Sequence, residues 1–457
     1  MSIRSMARRV RAALFAAFVG LVQFGLPARA DVRDVDPEVA ISQMQNACDS
    51  GGFAACADLG TLYLRGEVVA RNMEYAASLF EKACGGGVPG GCTSLGYIYA
   101  TGDGRPLDHA RAATLYLKAC EKRDLVACSN LGAAYRKGEG VRVDLDRAVK
   151  LYRMACDGGN ALACANLGNA YADGRGVTQD FAKALALYRS ACDRGENIAC
   201  SHMGVMYDSG RGVTQDRLLA ARMFKDACDR GAPEACRNLA EVYARDGPVD
   251  RDRSQTFALL ARACDLGDAE GCSDAGVMFE NGDGVAKDEI QAARLYDHAC
   301  QRGVPQACTN VGGLLVQGRG VPKDPAMAVQ FYEHGCARGV AAACSGLGGL
   351  FRNGIGVETN KGIALDLFRR GCGDADAFGC KNLGDMFALG EGVPGDPKQA
   401  IHFYGLGCDG GEATACGELA AFYASGIGAP HNPTRALELF RRACELGRND
   451  ACEAKNP

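Results

Sequence analysis

The sequence predicts an all-α solenoid, built as a stack of helical hairpins that disulfide bonds link together. Three observations support this prediction. Cysteines occur in pairs eight residues apart, and the pairs recur every 36 residues without an insertion or deletion. Apolar residues follow helical spacing twice within each unit, and a glycine-rich turn separates the two stretches. A fixed period of this length indicates a tandem array rather than a chain of unlike domains.

Residues 156 to 192 show the repeating unit clearly. Its first apolar stripe, at helical spacing, marks helix A and consists of Cys164, Leu167, Gly168 and Tyr171. A second stripe marks helix B and consists of Ala184, Leu187, Tyr188 and Ala191. Between them, Gly174 and Gly176 can adopt the left-handed conformation that ends a helix, and Asp180 can cap helix B. Because such a hairpin cannot bury both faces alone, neighbouring hairpins must stack.

Aromatic and glycine residues recur in the two stripes. Their register with leucine and alanine predicts core packing rather than stacking platforms for a ligand. The aromatic residues of helix A are Tyr63, Tyr99, Tyr135, Tyr171 and Tyr207, and those of helix B are Phe80, Tyr116, Tyr152, Tyr188 and Phe224. The glycines at the position of Gly168 should let helix B approach helix A closely, at some cost in helix propensity.

The cysteine spacing predicts twelve disulfides, each within a pair. Eight residues of continuous helix would separate the two α-carbons by roughly 12 Å, beyond the roughly 7 Å limit for a disulfide. A turn must therefore interrupt the eight residues, and Asp157-Gly158-Gly159-Asn160 supplies one. Each bridge then joins helix B of one repeat to helix A of the next, and a loop this short should stabilise the fold by roughly 2.5 kcal/mol. The predicted bridges join Cys48 with Cys56, Cys84 with Cys92, Cys120 with Cys128, Cys156 with Cys164, Cys192 with Cys200, Cys228 with Cys236, Cys264 with Cys272, Cys300 with Cys308, Cys336 with Cys344, Cys372 with Cys380, Cys408 with Cys416 and Cys444 with Cys452.

Residues 1 to 30 have the pattern of a secretory signal peptide. A basic segment precedes an apolar stretch from Ala12 to Leu26, and Ala28-Arg29-Ala30 forms a cleavage site after Ala30. The apolar stretch is short for a membrane anchor, so we expect a periplasmic or secreted protein, where disulfides persist. Loss of this segment would change the net charge from -4 to about -9, which disfavours nucleic acid as a partner.

The array predicts the organisation of residues 31 to 457. Asp36-Pro37 is a good helix start, so residues 37 to 48 should form a lone helix B. Eleven complete A/B pairs should follow from residue 48 to residue 444, and residues 445 to 457 should begin a further helix A. One repeat deviates, because residues 246 to 249 are Asp-Gly-Pro-Val and Thr256 replaces a small residue of helix B. Drift in a surface turn or a bend in the superhelix could explain this deviation.

Residues typical of catalysis or metal binding do not form a recognisable pattern. The chain lacks S-x-x-K, S-D-N, K-T-G, G-x-S-x-G and H-E-x-x-H. His298 and His334 occupy the same position in adjacent repeats, which we interpret as two surface histidines. An eight-residue cysteine gap is also not a zinc-ligand spacing. We therefore expect no metal and no cofactor.

The repeated pattern from residue 164 to residue 192 resembles Sel1-like repeats, which are relatives of the tetratricopeptide repeat. The paired cysteines make the Helicobacter cysteine-rich protein family the most similar. This resemblance implies a right-handed superhelix with helix A on its concave side, disulfides between adjacent cysteines, export, and a role in protein interaction. Some members are described as penicillin-binding proteins or β-lactamases, so the resemblance leaves such an activity open.

A polar residue recurs on helix A, two positions after the second cysteine, and is asparagine five times. The five asparagines are Asn130, Asn166, Asn238, Asn310 and Asn382. We expect them to face away from the core and to line the groove, where they either bind an extended peptide through their amides or merely fill a crowded wall. The sequence thus predicts an exported, monomeric scaffold for a protein or peptide partner in the cell envelope or outside the cell. A β-lactam enzyme and a passive envelope component are the two alternatives.

Overall fold

A computed structural model describes residues 37–245 and 252–453, and helices make up nearly all of its regular structure. The described helices are α1 (Pro37–Asp49), α2 (Phe53–Arg65), α3 (Met73–Gly85), α4 (Pro89–Thr101), α5 (His109–Glu121), α6 (Leu125–Lys137), α7 (Leu145–Asp157), α8 (Ala161–Asp173), α9 (Phe181–Asp193), α10 (Asn197–Ser209), α11 (Arg217–Asp229), α12 (Pro233–Ala244), α13 (Arg253–Asp265), α14 (Ala269–Asn281), α15 (Glu289–Gln301), α16 (Pro305–Gln317), α17 (Pro325–Ala337), α18 (Ala341–Asn353), α19 (Lys361–Gly373), α20 (Ala377–Leu389), α21 (Pro397–Asp409), α22 (Ala413–Ser425), α23 (Pro433–Glu445) and a 3-10 helix at Asn449–Glu453. The first helix is unpaired, and A/B hairpins follow it. The signal-peptide segment and residues 246–251 of the deviating repeat lie outside the described residues.

The chain forms two compact units, one ending at Met223 and one beginning at Phe224. Within each unit, helix A packs most extensively against helix B of its own repeat, and helix B packs next against helix A of the following repeat. This neighbour-to-neighbour packing is that of a solenoid. The prediction of an all-α solenoid of disulfide-linked hairpins is confirmed.

Local sequence explains where each helix begins and ends. The Asp180 carboxylate accepts a hydrogen bond from the backbone N–H of Lys183 and caps α9. Helix α8 ends at Gly174, whose φ of 70° is left-handed, as its sequence position predicts. Gly168 permits the close approach of helix B, because a Cβ there would lie 2.6 Å from the Tyr188 ring.

Each cysteine pair forms a disulfide across the turn between helix B and the next helix A. In the bridge between Cys156 and Cys164, the two α-carbons lie 4.6 Å apart, and the other eleven bridges have similar geometry. Their Cα separations are 4.5 to 5.0 Å, and they join Cys48 with Cys56, Cys84 with Cys92, Cys120 with Cys128, Cys192 with Cys200, Cys228 with Cys236, Cys264 with Cys272, Cys300 with Cys308, Cys336 with Cys344, Cys372 with Cys380, Cys408 with Cys416 and Cys444 with Cys452. This pairing is the one that the eight-residue spacing predicts.

The aromatic residues of helix B are core residues, as predicted, whereas those of helix A are mostly not fully buried. All five predicted helix B aromatics are at most 5% exposed. Among the helix A tyrosines, Tyr99 is buried, but Tyr135 and Tyr171 are half-buried. Arg147 donates a hydrogen bond to the Tyr135 hydroxyl at 3.2 Å, and Arg153 donates one to that of Tyr171 at 3.0 Å. Arginines therefore bind the hydroxyls of both half-buried tyrosines.

Candidate functional site

A polar strip runs along helix A of successive repeats. We define it as the residues that stand two, five and eight positions after the second cysteine of each repeat. In the repeat that begins at Cys164, for example, these are Asn166, Asn169 and Ala172. Because the same three positions recur every 36 residues, each one can be compared between repeats.

The five asparagines at the first strip position are half-buried or buried. Asn130, Asn166, Asn238 and Asn310 are half-buried. Asn382 is only 7% exposed. Its Nδ2 donates to the carbonyl oxygen of Phe378 at 2.8 Å, and its Oδ1 accepts from Arg352 at 3.2 Å. Arg352 of the preceding repeat therefore covers Asn382, and the expectation that the five side chains face away from the core stays a prediction. A ligand-binding role for the five asparagines stays a prediction.

The first strip position lies against the aromatic residue of the preceding helix B. Burial raises the pKa of the Tyr116 hydroxyl to about 12, and the nearby Asn130 amide opposes this shift. The His202 ring lies 5.1 Å from the Tyr188 ring. A Cβ added at Gly346 would come within 2.9 Å of the Tyr332 ring. Contact with the aromatic ring of the preceding helix B therefore restricts the side chain at the first strip position.

The second strip position exposes large apolar side chains in three repeats. These residues are Tyr97, Val205 and Val277, with exposed fractions of 50%, 39% and 39%. In each of these repeats the residue at the first strip position is polar. The strip therefore offers both hydrogen-bonding groups and apolar contacts to a molecule that lies along it.

Two strip carboxylates at the first position have raised pKa values. Burial raises the pKa of Asp58. Burial also raises the pKa of Asp274, although the nearby Arg237 guanidinium opposes that shift. Both aspartates are nevertheless exposed side chains. The neighbouring atoms therefore disfavour the charged form of these carboxylates without removing them from solvent.

Arg352 is the centre of a charged network in the second unit. Its Nε lies 2.8 Å from Oε2 of Glu391, and its Nη1 lies 3.1 Å from Oδ2 of Asp385. Lys381 contacts the same Asp385 oxygen at 2.8 Å, and the Tyr404 hydroxyl donates to the other oxygen at 2.9 Å. The hydrogen bond from Arg352 holds the pKa of Glu391 below its usual range. The charged side chains in this part of the strip therefore neutralise one another through ion pairs within the protein.

In a second charged network of the same unit, the acidic and basic residues have exchanged places: Glu280 stands at the position of Arg352, and Arg319 stands at that of Glu391. Arg319 lies 3.1 Å from Glu280 of the preceding repeat and 2.8 Å from Glu289. Glu280 also accepts a hydrogen bond from the Tyr296 hydroxyl at 2.8 Å. Here too, each charged group of the network has an internal partner.

A cavity of about 140 Å³ opens on the strip in the first unit. The polar residues in its wall are Arg136, Tyr152, Asn166, Asn169, Asp173 and Arg175, and the apolar ones are Leu145, Ala148, Val149 and Ala170. Burial raises the pKa of Tyr152, and the Arg136 guanidinium opposes this shift. Arg136 and Arg175 stand 39 residues apart in the sequence, and the packing of two successive repeats places them in the wall of the same cavity.

The histidines of the described ranges do not add a metal-binding geometry of their own. His298 and His334 are exposed, as predicted. His334 lies close to the sulfurs of Cys300 and Cys308. Those two sulfurs form a disulfide, whereas metal binding by cysteine requires thiolates.

The family model for the Sel1 repeat matches this chain eleven times. The matches cover residues 53–88, 89–124, 125–160, 161–196, 197–231, 233–268, 269–304, 305–340, 341–373, 377–412 and 413–447. The chain belongs to the Sel1 repeat family. None of the curated proteins compared with the chain matches it.

The chain is also similar to solved structures. The structure of c5321, a protective antigen of uropathogenic Escherichia coli strains with an SLR fold, is 27% identical and has a TM-score of 0.58. The alignment covers 92% of this chain and 91% of that one. A Sel1 repeat protein from Oxalobacter formigenes is 25% identical with a TM-score of 0.45, over 52% of this chain and 96% of its own.

Family membership indicates the general kind of function, and the disulfides indicate the cellular compartment. Sel1 repeat solenoids, like tetratricopeptide repeats, are scaffolds that generally mediate protein–protein interaction. Twelve disulfides within one chain indicate an oxidising compartment, which fits the periplasm or secretion. None of the described helices combines the length and the apolar character that a membrane crossing needs.

Proposed function

We propose that this protein is an exported scaffold that binds a protein partner along the polar strip of helix A. The observation that carries the proposal is the make-up of the strip: hydrogen-bonding side chains alternate with the exposed apolar side chains of Tyr97, Val205 and Val277. Interfaces of soluble proteins combine apolar anchors with polar groups in this way.

The rigidity of the repeats supports this function. A disulfide joins each hairpin to the next, so the strip residues are held in position before a partner arrives. A preorganised surface loses less conformational entropy on binding than a flexible one. The disulfides, the family and the signal-peptide pattern of the sequence together favour a partner in the cell envelope or outside the cell.

A pull-down from envelope extract tests the proposal with a matched control. One variant carries Tyr97→Ser and Val205→Ser on the strip. The other carries Leu117→Ser and Met154→Ser on helix B, where exposure is similar at 44% and 45%. We expect the strip variant to lose the captured protein and the helix B variant to retain it. Equal capture by both variants would contradict binding along the strip, and no specific capture by the wild type would favour a passive envelope component.

A further inference from the structure

The charges at two sequence positions distinguish the cavity of the first unit from the rest of the strip. Both positions recur in the repeats, so their residues can be compared. One position stands eight residues after a second cysteine, and the other stands eleven residues after the second cysteine of the next repeat. In the second unit these positions hold Glu280 with Arg319, and Arg352 with Glu391. Each of these two pairs closes an ion pair, at 3.1 and 2.8 Å. The corresponding pair at the cavity is Arg136 and Arg175, two cations that cannot form an ion pair with each other.

The partners of these two arginines leave positive charge in the cavity. Asp173 lies 3.5 Å from Nε of Arg175, so it offsets part of that charge. Among the residues that the structure describes, no carboxylate comes within ion-pair distance of Arg136. The two guanidinium groups and one carboxylate of the cavity wall therefore carry a net charge of about +1 at neutral pH.

The hydroxyl of Tyr152 gives a second, independent indication of a missing ligand. Tyr152 is 1% exposed, and within the described part of the chain its hydroxyl has no hydrogen-bond partner. The nearby Arg136 guanidinium could only donate to it, so the hydroxyl proton has no acceptor. The equivalent hydroxyls of Tyr188, Tyr296 and Tyr404 donate to side chains at 2.7, 2.8 and 2.9 Å. Leaving a buried hydroxyl without a partner is unfavourable, so an acceptor that enters the cavity would satisfy a group that the fold leaves unsatisfied.

Asn169 adds a donor to the same wall. Its Oδ1 accepts the hydrogen bond from the Tyr188 hydroxyl. This bond orients the amide, so that Nδ2 is left to donate to a ligand. The cavity thus combines guanidinium, hydroxyl and amide donors.

We propose that this cavity binds a carboxylate of the protein partner, namely the side chain of an aspartate or glutamate in an extended segment. A single negative charge matches the net charge of the wall, and guanidinium groups bind carboxylates with short, charge-assisted hydrogen bonds. A cavity needs about 10–15 Å³ to hold one water, so 140 Å³ admits a group of several heavy atoms. This inference rests on the proposed function, since it specifies one chemical feature of the partner.

The probes are three small molecules that separate the possible sources of a carboxylate. N-acetylglutamate α-amide carries only a side-chain carboxylate, N-acetylglycine carries only a terminal one, and N-acetylglutamine amide carries neither. Each is titrated at low salt into the intact, oxidised protein labelled with ¹⁵N-arginine, and the side-chain Nε resonances of Arg136 and Arg175 are followed by NMR. We expect a saturable shift with N-acetylglutamate α-amide and none with the glutamine compound.

Substitutions within the cavity distinguish a binding site from a structural feature. Arg136→Glu would place a carboxylate opposite Arg175, the arrangement of Glu280 and Arg319, so it should leave the fold intact and raise Kd at least about tenfold. Tyr152→Phe should raise Kd several-fold without loss of stability, because the hydroxyl has no partner to lose. Tyr404→Phe, at the equivalent position of the second unit, should leave Kd unchanged.

The titration and the Arg136→Glu variant can each contradict the proposal. Absence of a saturable shift, or an unchanged Kd in Arg136→Glu, would overturn it, and binding of N-acetylglycine alone would show that the site takes a chain terminus instead of a side chain. The pull-down with strip variants is separate from this titration. A captured partner without a carboxylate response would refute only the cavity proposal, and a carboxylate response without a captured partner would refute only the scaffold.

Discussion

Replacement of Arg352 by methionine should destabilise the protein by about 2 kcal/mol at pH 7. Arg352 is bonded to Glu391, Asp385 and Asn382 at 2.8, 3.1 and 3.2 Å, and its side chain is only 15% exposed. A hydrogen bond to a charged group contributes about 1.5–3 kcal/mol. The stability lost should be smaller than the sum over three bonds, because Asp385 keeps its contact with Lys381 and Glu391 keeps its contact with Lys361. We therefore expect the equivalent of one such bond to be lost.

The loss should depend on pH, because Arg352 holds the pKa of Glu391 below its usual range. A depressed carboxyl pKa stabilises the fold above the pKa of the unfolded chain, about 4.3 for glutamate, and this contribution disappears as the pH falls through the folded pKa. The difference between the wild type and Arg352→Met should therefore shrink to below about 1 kcal/mol at pH 2.5.

Urea unfolding of the oxidised protein, followed by circular dichroism at pH 7 and pH 2.5, measures both effects. Lys361→Met is the matched control, because Lys361 contacts the same Glu391 at 3.2 Å but is 43% exposed, and exposed ion pairs contribute at most about 1 kcal/mol. An Arg352→Met midpoint equal to that of the control would show that Arg352 contributes no more than an exposed ion pair. A loss of the same size at both pH values would show that the contribution of Arg352 does not depend on the charge of Glu391.

Four further predictions follow from particular contacts and sequence patterns. Gly168→Ala should destabilise the fold by about 1–3 kcal/mol because the new Cβ would clash with a tyrosine ring, whereas Gly349→Ala, with no atom within 4 Å of its Cβ, should be neutral or stabilising in the same urea assay. Asn382→Ala should lower the unfolding midpoint more than Asn130→Ala, since Asn382 is the more deeply buried. Non-reducing peptide mapping should find only bridges between cysteines eight residues apart, and a peptide joining two different pairs would contradict the linked hairpins. Purified protein should not hydrolyse nitrocefin, because its sequence lacks an activated nucleophile motif; efficient hydrolysis abolished by one point mutation would contradict this expectation.

The sequence predicts the fold well because its determinants are local and repeat at a fixed interval. Gly174, Asp180 and the turn between Cys156 and Cys164 each set a helix end or a bridge through residues close in sequence. Those signals do not depend on which repeats lie next to one another. The arrangement of helices and disulfides therefore agrees with the sequence-based expectation.

The environment of the strip is harder to predict, because it depends on side chains of the neighbouring repeat. Asn382 is buried by Arg352, which lies 30 residues earlier in the chain. Arg136 and Arg175 are 39 residues apart, the same separation as Glu280 and Arg319. A comparison of charges at this separation along the sequence could have identified the like-charged pair. The unsatisfied Tyr152 hydroxyl has no such signal, because it depends on the side-chain packing around it.

Site-specific photocrosslinking tests binding along the strip most directly. A benzoylphenylalanine at Val205 would lie on the strip, and one at Met154 would lie on helix B with similar exposure. After irradiation in envelope extract, we expect a crosslinked protein partner from Val205 and little or none from Met154. Equal crosslinking from both positions, or crosslinking from Met154 alone, would contradict the assignment of the partner to the polar strip.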